Sequence, residues 1–357
     1  MNKKTIIAGL LPDELKKIIS AYKQPVYRAK QVLDWMFKKG VLSFSGMKNL
    51  PSELREELDR KNQPLSLYQE LKLTSAVDKT SKYIFITNDA QSIETVFIPT
   101  TKRATVCVST QAGCAFGCLF CASGKDGLVR GLRADEIVSQ LLLVKKDNPH
   151  RPLTNVVFMG MGEPLANYEN TLKAIRIINH PDYLGIAARK ITVSTCGLPD
   201  AISRLAKENM QFELSISLHA ADNDTRNRLM PVNKKFPLEM LIKAAREYTQ
   251  VTNRMITFEY VIIDGVNDSK KAALDLAKLL TRLKCKVNII PFNPVDAMQF
   301  KRAEKARLAE FTQTLDENKL NFTLRRSRGA DIQGACGQLR LERTERKNLK
   351  DEGRGFK

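Results

Sequence analysis

Gly113-Cys114-Ala115-Phe116-Gly117-Cys118-Leu119-Phe120-Cys121 decides how the rest of the chain reads, because it follows a short apolar run, Thr105 to Ser109, and gathers three of the seven cysteines. The C-x3-C-x2-C spacing suits three corners of a cubane iron-sulfur cluster. Clusters that only pass electrons usually have four thiolates. Three leave one iron open to an external ligand, as a catalytic zinc keeps an open position where a structural one does not. A zinc ribbon needs a second close pair of ligands, and no other two cysteines lie within six residues of each other.

Working outward from this loop, strand and helix patterns alternate. Thr105 to Ser109, Asn155 to Met159, Lys190 to Ser194, Phe212 to Leu218, Ile256 to Ile262 and Lys286 to Pro291 read as strands. Helical spacing appears between them, as at Ile137, Leu141 and Val144, or Leu238, Leu241, Ile242, Ala245 and Tyr248, or Leu276, Leu279, Leu280 and Leu283. Six such units predict an α/β fold with a parallel sheet, open or closed into a barrel. Sites then collect at the C-terminal ends of the strands, and the cysteine loop sits at the first of these.

The second strand ends in Met159-Gly160-Met161-Gly162-Glu163-Pro164. Small residues there expose backbone groups, and Glu163 could accept a hydrogen bond from a ligand ammonium. Ser194 ends the third strand, Ser217-Leu218-His219 the fourth, and Asn293 follows the sixth. A lone strand-end serine or asparagine more often caps a turn than binds a ligand. Cys107 lies inside the first strand and reads locally as core. Cys336, in Gly334-Ala335-Cys336-Gly337-Gln338, is flanked by glycines, which favours an exposed thiol able to act as a nucleophile. Cys196 and Cys285 lack that setting and read as small buried apolar residues.

Upstream, Leu15, Ile18, Ile19 and Tyr22, then Ala29, Val32, Leu33, Met36 and Phe37, fall at helical spacing, with Lys16, Lys17, Lys30, Lys38 and Lys39 opposite. With a third helix near Pro51 to Lys61 they predict a small basic helical domain over residues 1–65. Candidate strands near Tyr68 to Leu73, Tyr83 to Thr87 and Ile93 to Ile98 make 66–99 a β-rich linking segment. The core is expected over 100–300 and a C-terminal segment with the Cys336 loop over 301–357, its end from Arg340 to Lys357 charged and poor in apolar residues.

The 357 residues are 43% hydrophobic and 27% charged, as in a soluble globular protein. Lys and Arg number 58 against 39 Asp and Glu, a formal net charge of +19. That excess favours a polyanionic partner through counterion release, over the plainer alternative of a solvated cationic surface. Ile6 to Leu11 is too short for a signal-peptide core and no apolar run is long enough to span a membrane. No membrane association and a cytoplasmic location are expected, where cysteines serve more often as ligands or catalysts than as structural disulfides.

The cysteine spacing, with Phe120 before the last cysteine, resembles the signature of radical S-adenosylmethionine (SAM) enzymes. There the open iron chelates SAM, and one electron from the [4Fe-4S] cluster splits the sulfonium to a 5′-deoxyadenosyl radical. More closely, Tyr27-Arg28-Ala29-Lys30-Gln31, Ile93-Glu94-Thr95-Val96, Met159 to Pro164, Ser217-Leu218-His219, Leu229-Met230-Pro231-Val232-Asn233, Gly265-Val266-Asn267-Asp268 and Asp331 to Leu339 resemble the RlmN/Cfr family, which methylates an adenosine of large-subunit rRNA. The resemblance implies a partial (β/α)6 radical SAM barrel with a basic helical N-terminal accessory domain. It also implies Cys114, Cys118 and Cys121 as cluster ligands, and Gly162, Glu163, Ser194, Ser217, Leu218, His219 and Asn293 as SAM contacts.

By the same resemblance one SAM methylates Cys336, and the radical from a second abstracts hydrogen from the S-methyl group. The resulting methylene radical adds to the adenine. Glu94 matches the family's proton acceptor, and Cys107 the thiol that releases the product by forming a transient disulfide with Cys336. Taken locally, Glu94 is simply a solvated glutamate. Expected partners are 23S rRNA, with tRNA allowed, and an electron-donating reductase or flavodoxin, the chain acting as a monomer. Departures are Ala122 to Gly127, where many RlmN members carry Thr-Ala-Gln-Gln-Gly, Gln333-Gly334 in place of Asp-Ala, and Cys196 at a position where many relatives have serine. Pro164 and the basic module favour RlmN-type methylation at C2 over Cfr-type methylation at C8. A non-catalytic zinc-containing rRNA-binding protein would explain the charge and three cysteines, but not Gly162-Glu163 or Cys336.

Overall fold

The computed structural model describes residues 4–295 and 299–339, so the charged end from Arg340 lies outside the described residues. Thr5–Ile6 (β1) pairs in parallel with Asn62–Gln63 (β2) and brackets three helices, Pro12–Ala21 (α1), Tyr27–Leu33 (α2) and Ser52–Lys61 (α3). Pro12 pre-sets the first turn of α1, and the Leu11 amide donates to the Glu14 carboxylate at 2.6 Å. The apolar stripes bury Leu15, Ile19, Val32, Leu54 and Leu58 in a core continuous with that of the main body. Lys173 pairs with Glu14 at 2.8 Å, and the Tyr183 hydroxyl donates to the Leu10 carbonyl at 2.7 Å, fastening the helices to the barrel's outer face.

Leu67–Thr74 (β3), Ser81–Thr87 (β4) and Ser92–Pro99 (β5) form an antiparallel meander. β5 pairs antiparallel with Ala104–Cys107 (β6), so the meander belongs to the same sheet as the core. Gln111–Gly113 (β7) and Leu128–Gly131 (β8) form a separate hairpin around the cysteine loop. Next come Ala134–Asp147 (α4), Asn155–Phe158 (β9), Tyr168–Asn179 (α5), Ile191–Thr195 (β10), Pro199–Ala206 (α6) and Glu213–Ser217 (β11). They are followed by Asn223–Leu229 (α7), Leu238–Thr252 (α8), Ile256–Ile262 (β12), Lys270–Leu280 (α9), Cys285–Pro291 (β13), Lys305–Glu317 (α10) and Phe322–Leu324 (β14).

The ten-stranded sheet runs β14-β13-β12-β11-β10-β9-β6-β5-β4-β3. From β6 through β14 its pairings are all parallel, and β14 and β3 remain at opposite ends, giving an α/β partial barrel. Helices cover the outside, so β12 is buried along its whole length, its polar Thr257 and Glu259 included. The short strands β7, β8 and β14 were not foreseen, since three or four residues carry too little periodicity. Among the described residues no helix is long and apolar enough to cross a membrane.

Candidate active site

The sheet's C-terminal edge opens into a cleft of about 1040 Å3. Cys114, Cys118 and Cys121 line one side of it, and Gly162, Glu163, Ser194, Ser217, His219 and Asn293 the rest. Loop anchoring explains why the cysteines hold this position. The Cys114 amide donates to the Gly127 carbonyl at 2.9 Å and the Leu119 amide to the Leu229 carbonyl at 3.0 Å. Gly113, at φ +76°, passes the Gly127 carbonyl so closely that a Cβ would lie 2.0 Å from its oxygen.

Burial raises all three thiols, Cys114 to about 11, and each neighbour's charge pushes Cys114 and Cys118 further up. Thiols so hard to ionise alone become ligands when a cation offsets their charge. Among the described residues no three Cys, His, Asp or Glu side chains converge closely enough to enclose a single metal ion. Three thiols lining one cleft are the ligand set of an iron-sulfur cluster that keeps one iron open.

Glu163 is buried, and its two oxygens accept from the Leu165 amide at 2.9 Å and the Cys196 amide at 2.7 Å. Burial raises its carboxyl above the usual range while these amides lower it. Each oxygen has a second lone pair, so the carboxylate still has room for a ligand ammonium. Gly162 has φ +95°, and a Cβ there would meet Gln111 Cβ at 2.4 Å. Gln111 in turn accepts the Glu163 amide at 2.9 Å. Gly162→Ala therefore combines a clash with left-handed strain of about 1–3 kcal/mol. It should lower the thermal midpoint and abolish SAM retention in equilibrium dialysis; wild-type values of both would show that the loop yields.

His219 adopts φ +59°, unusual for a residue with a Cβ. Its Nδ1 accepts the Val261 amide at 2.9 Å, which leaves the proton on Nε2, and the ring packs edge-on to Phe120 at 4.5 Å. Burial, with the Arg226 charge adding to it, holds its pKa down to about 3, so the imidazole is neutral throughout the working range. Asn293 Nδ2 donates to the Cys336 carbonyl at 3.2 Å. Leu218 differs from its neighbours: its side chain lies in the core and its carbonyl accepts from Arg226 Nε at 3.1 Å, so it is not on the cleft wall.

Cys336 is exposed and lines both this cleft and a second chamber of about 670 Å3, where Cys107 also lies. The Cys336 loop is tied back to the cluster loop by the Ala122 amide donating to the Gly337 carbonyl at 2.7 Å, and by Ser123 Oγ donating to the Leu339 carbonyl at 2.8 Å. Local desolvation raises the Cys336 thiol to about 11, against the pull of Arg325. Cys107 is buried, and burial first, then the charge of Cys336, raises it to about 12.

Glu94 lines neither cavity. It is 2% exposed, on the strand face of Val96 and Ile98, which do line the second chamber. Its Oε2 lies 3.8 Å from the ammonium of buried Lys82, which donates to the Gln333 carbonyl at 3.2 Å and so links Glu94 to the Cys336 loop. Cys285 is buried in the main core, while Cys196 is buried but also on the cleft wall.

Sequence reading missed Gln111, Lys82 and Arg226. Arg226 is fully buried and donates to the carbonyls of Leu218, Cys196 and Ser217 and to Asn233 Oδ1, joining two strand ends. Only its place shortly before the Leu229 to Asn233 motif offered a hint.

Residues 7–63 match the ribosomal RNA large subunit methyltransferase N-terminal domain and residues 108–277 the radical SAM superfamily. The probable dual-specificity RNA methyltransferase RlmN of Clostridioides difficile (strain 630) is 42% identical over 338 residues, covering 95% of this chain and 98% of its own. That of Geobacillus kaustophilus (strain HTA426) is 43% identical, covering 94% and 92%. A radical SAM methyltransferase from Sphaerobacter thermophilus superposes with a TM-score of 0.92 at 43% identity, covering 95% of this chain and 100% of that one. A cluster loop, a Gly-Glu turn and a remote exposed cysteine meeting at one sheet edge, with relatives matched end to end, place this chain in the RlmN family of radical SAM RNA methyltransferases.

Proposed function

We propose that this protein methylates carbon 2 of an adenosine in 23S rRNA, and in tRNA as a second substrate, through a methylated Cys336. The observation that carries the reading is the pair of cavities sharing Cys336, one walled by the cluster cysteines and the other by Cys107. Cys114, Cys118 and Cys121 would hold a [4Fe-4S] cluster, and Glu163, Gly162, Ser194, Ser217, His219 and Asn293 would surround SAM, with Leu218 contributing through its backbone. The bound pair supplies one-electron cleavage of the sulfonium, which yields a hydrogen-abstracting radical.

An aromatic carbon bearing hydrogen is too poor a nucleophile for direct transfer from SAM. Cys336 solves this by taking the methyl group first, as its thiol loses a proton and S-adenosylhomocysteine leaves. Neutral His219 neither repels the sulfonium nor competes for protons. After the one-carbon bridge from Cys336 to the base has formed, Glu94 accepts the ring proton, held in place by Lys82. The adduct's unpaired electron would return to the cluster. The Cys107 thiolate then attacks the Cys336 sulfur, the sulfur-carbon bond pair stays with the methylene carbon, which takes up a proton to become the methyl group, and the resulting disulfide must be reopened by an external thiol reductant. A reductase or flavodoxin supplying the electron, and action as a cytoplasmic monomer, complete the reading.

The test is an anaerobic incubation with reductant, SAM and unmodified large-subunit rRNA fragments, followed by mass spectrometry of the nucleosides. We expect 2-methyladenosine and 5′-deoxyadenosine, and about four irons with matching sulfide per chain. Dominant 8-methyladenosine would overturn the C2 assignment. One colourless zinc without 5′-deoxyadenosine would overturn the enzyme.

A further inference from the structure

The second chamber is lined by more than its two cysteines. Arg325, Arg326, Ser327 and Arg328 follow β14, and all four border it. The three arginines are exposed, so they form its rim. Arg325 leans toward Glu259, at 3.9 Å, and so faces the shared wall of the two cavities. Arg326 and Arg328 form no ion pair among the described residues, and Arg328 reaches only the Pro99 carbonyl at 3.5 Å.

The segment is held in place. The Gly329 amide donates to Asp78 Oδ2 at 2.9 Å, and Gly329 sits at φ +65°, where a Cβ would meet Thr80 Cγ2 at 2.8 Å. The Arg325 amide donates to the Ile289 carbonyl at 2.9 Å. Within the chamber, Val96, Ile98, Val157 and Met159 supply apolar wall, and the buried Ser327 hydroxyl has no hydrogen-bond partner among the described residues. Buried hydroxyls are normally satisfied, so this one is available to a guest. An apolar slot with one free hydroxyl, two thiols and a cationic rim matches a splayed-out nucleotide, with the base inside and the phosphates at the edge.

We propose that Arg326 and Arg328 bind the RNA phosphates flanking the target nucleotide, and that Ser327 hydrogen-bonds that nucleotide inside the second chamber. The proposal rests on the RNA-methyltransferase reading and adds the site at which the strand is gripped. Guanidinium forks suit this task because they meet two phosphate oxygens at once. The arginines act as positioning residues, presenting the base to Cys336 and Cys107 without touching the reacting atoms.

The test measures binding of a fluorescein-labelled single-stranded segment of large-subunit rRNA to the cluster-loaded full chain, by anisotropy over a range of salt. Replacing both residues (Arg326→Gln with Arg328→Gln) should reduce the slope of log affinity against log salt by about 1.4, at about 0.7 per phosphate contact. The restored-charge pair (Arg326→Lys with Arg328→Lys) should recover most of the slope. A remote pair on α8 (Lys243→Gln with Arg246→Gln) should leave it unchanged. Methylation of Cys336 by SAM without RNA, read by intact mass, should match wild type in every variant, which certifies folding and cofactor loading.

An unchanged slope in the Arg326/Arg328 variant, or an equal loss in the α8 control, overturns the proposal. Failure of the underlying function looks different, because the wild-type protein itself would then leave RNA unmethylated.

Discussion

A Cys336→Ala variant is expected to lose RNA methylation completely while keeping its iron and sulfide. Cys336 is the exposed thiol on the wall shared by both cavities, so no other sulfur can take a methyl group on one side and present it on the other. Cys107 and Cys196 are buried. The loop survives the change, because the anchors from Ala122 to Gly337 and from Ser123 to Leu339 use backbone carbonyls. The checks are nucleoside mass spectrometry and the cluster's absorption and electron paramagnetic resonance signals; residual 2-methyladenosine would remove Cys336 from the mechanism. In the wild type, desolvation lifts this thiol to about 11. At neutral pH it is protonated, and its thiolate fraction grows tenfold per pH unit below that value. Methylation of Cys336 by SAM should therefore accelerate as pH rises from 7 to 9.

Cys107→Ala should instead leave RNA joined to the protein. The early steps need only Cys336, so the one-carbon bridge to the base forms, but no second thiol breaks it. The buried position beside Val96, Met161 and Leu339 makes loss of the sulfur a small cavity, costing about 1 kcal/mol, which a folded core tolerates. Denaturing gels should show a shifted, nuclease-sensitive band and about one turnover per chain. Normal multiple turnover with no adduct would mean that something other than Cys107 releases the product.

How much of this was legible beforehand varies by residue. Strands such as Ile256–Ile262 and helices such as Leu238–Thr252 emerged from periodicity, because a buried strand and a half-buried helix impose their spacing on local sequence. The cysteine triple and the Gly-Glu turn were equally plain. Leu218, expected with Ser217 and His219 as a SAM contact, follows the end of β11 with its side chain in the core, so only its backbone is left for that role. Arg226 was invisible, since its partners are backbone carbonyls from separate strand ends. The Lys82–Glu94 pair joins adjacent strands of a meander that read as a linking segment but extends the main sheet.

Chain order alone determined the spacing of the cluster thiols, the alternation that builds a parallel sheet, and the cationic excess, because each depends on residues close in the chain or on simple composition. Tertiary structure decided that Cys107 and Cys336 share a chamber, that Glu94 faces Lys82, and that the arginines after β14 rim the same space. Those neighbours are set by which strand ends the sheet brings side by side, and no local pattern encodes that pairing.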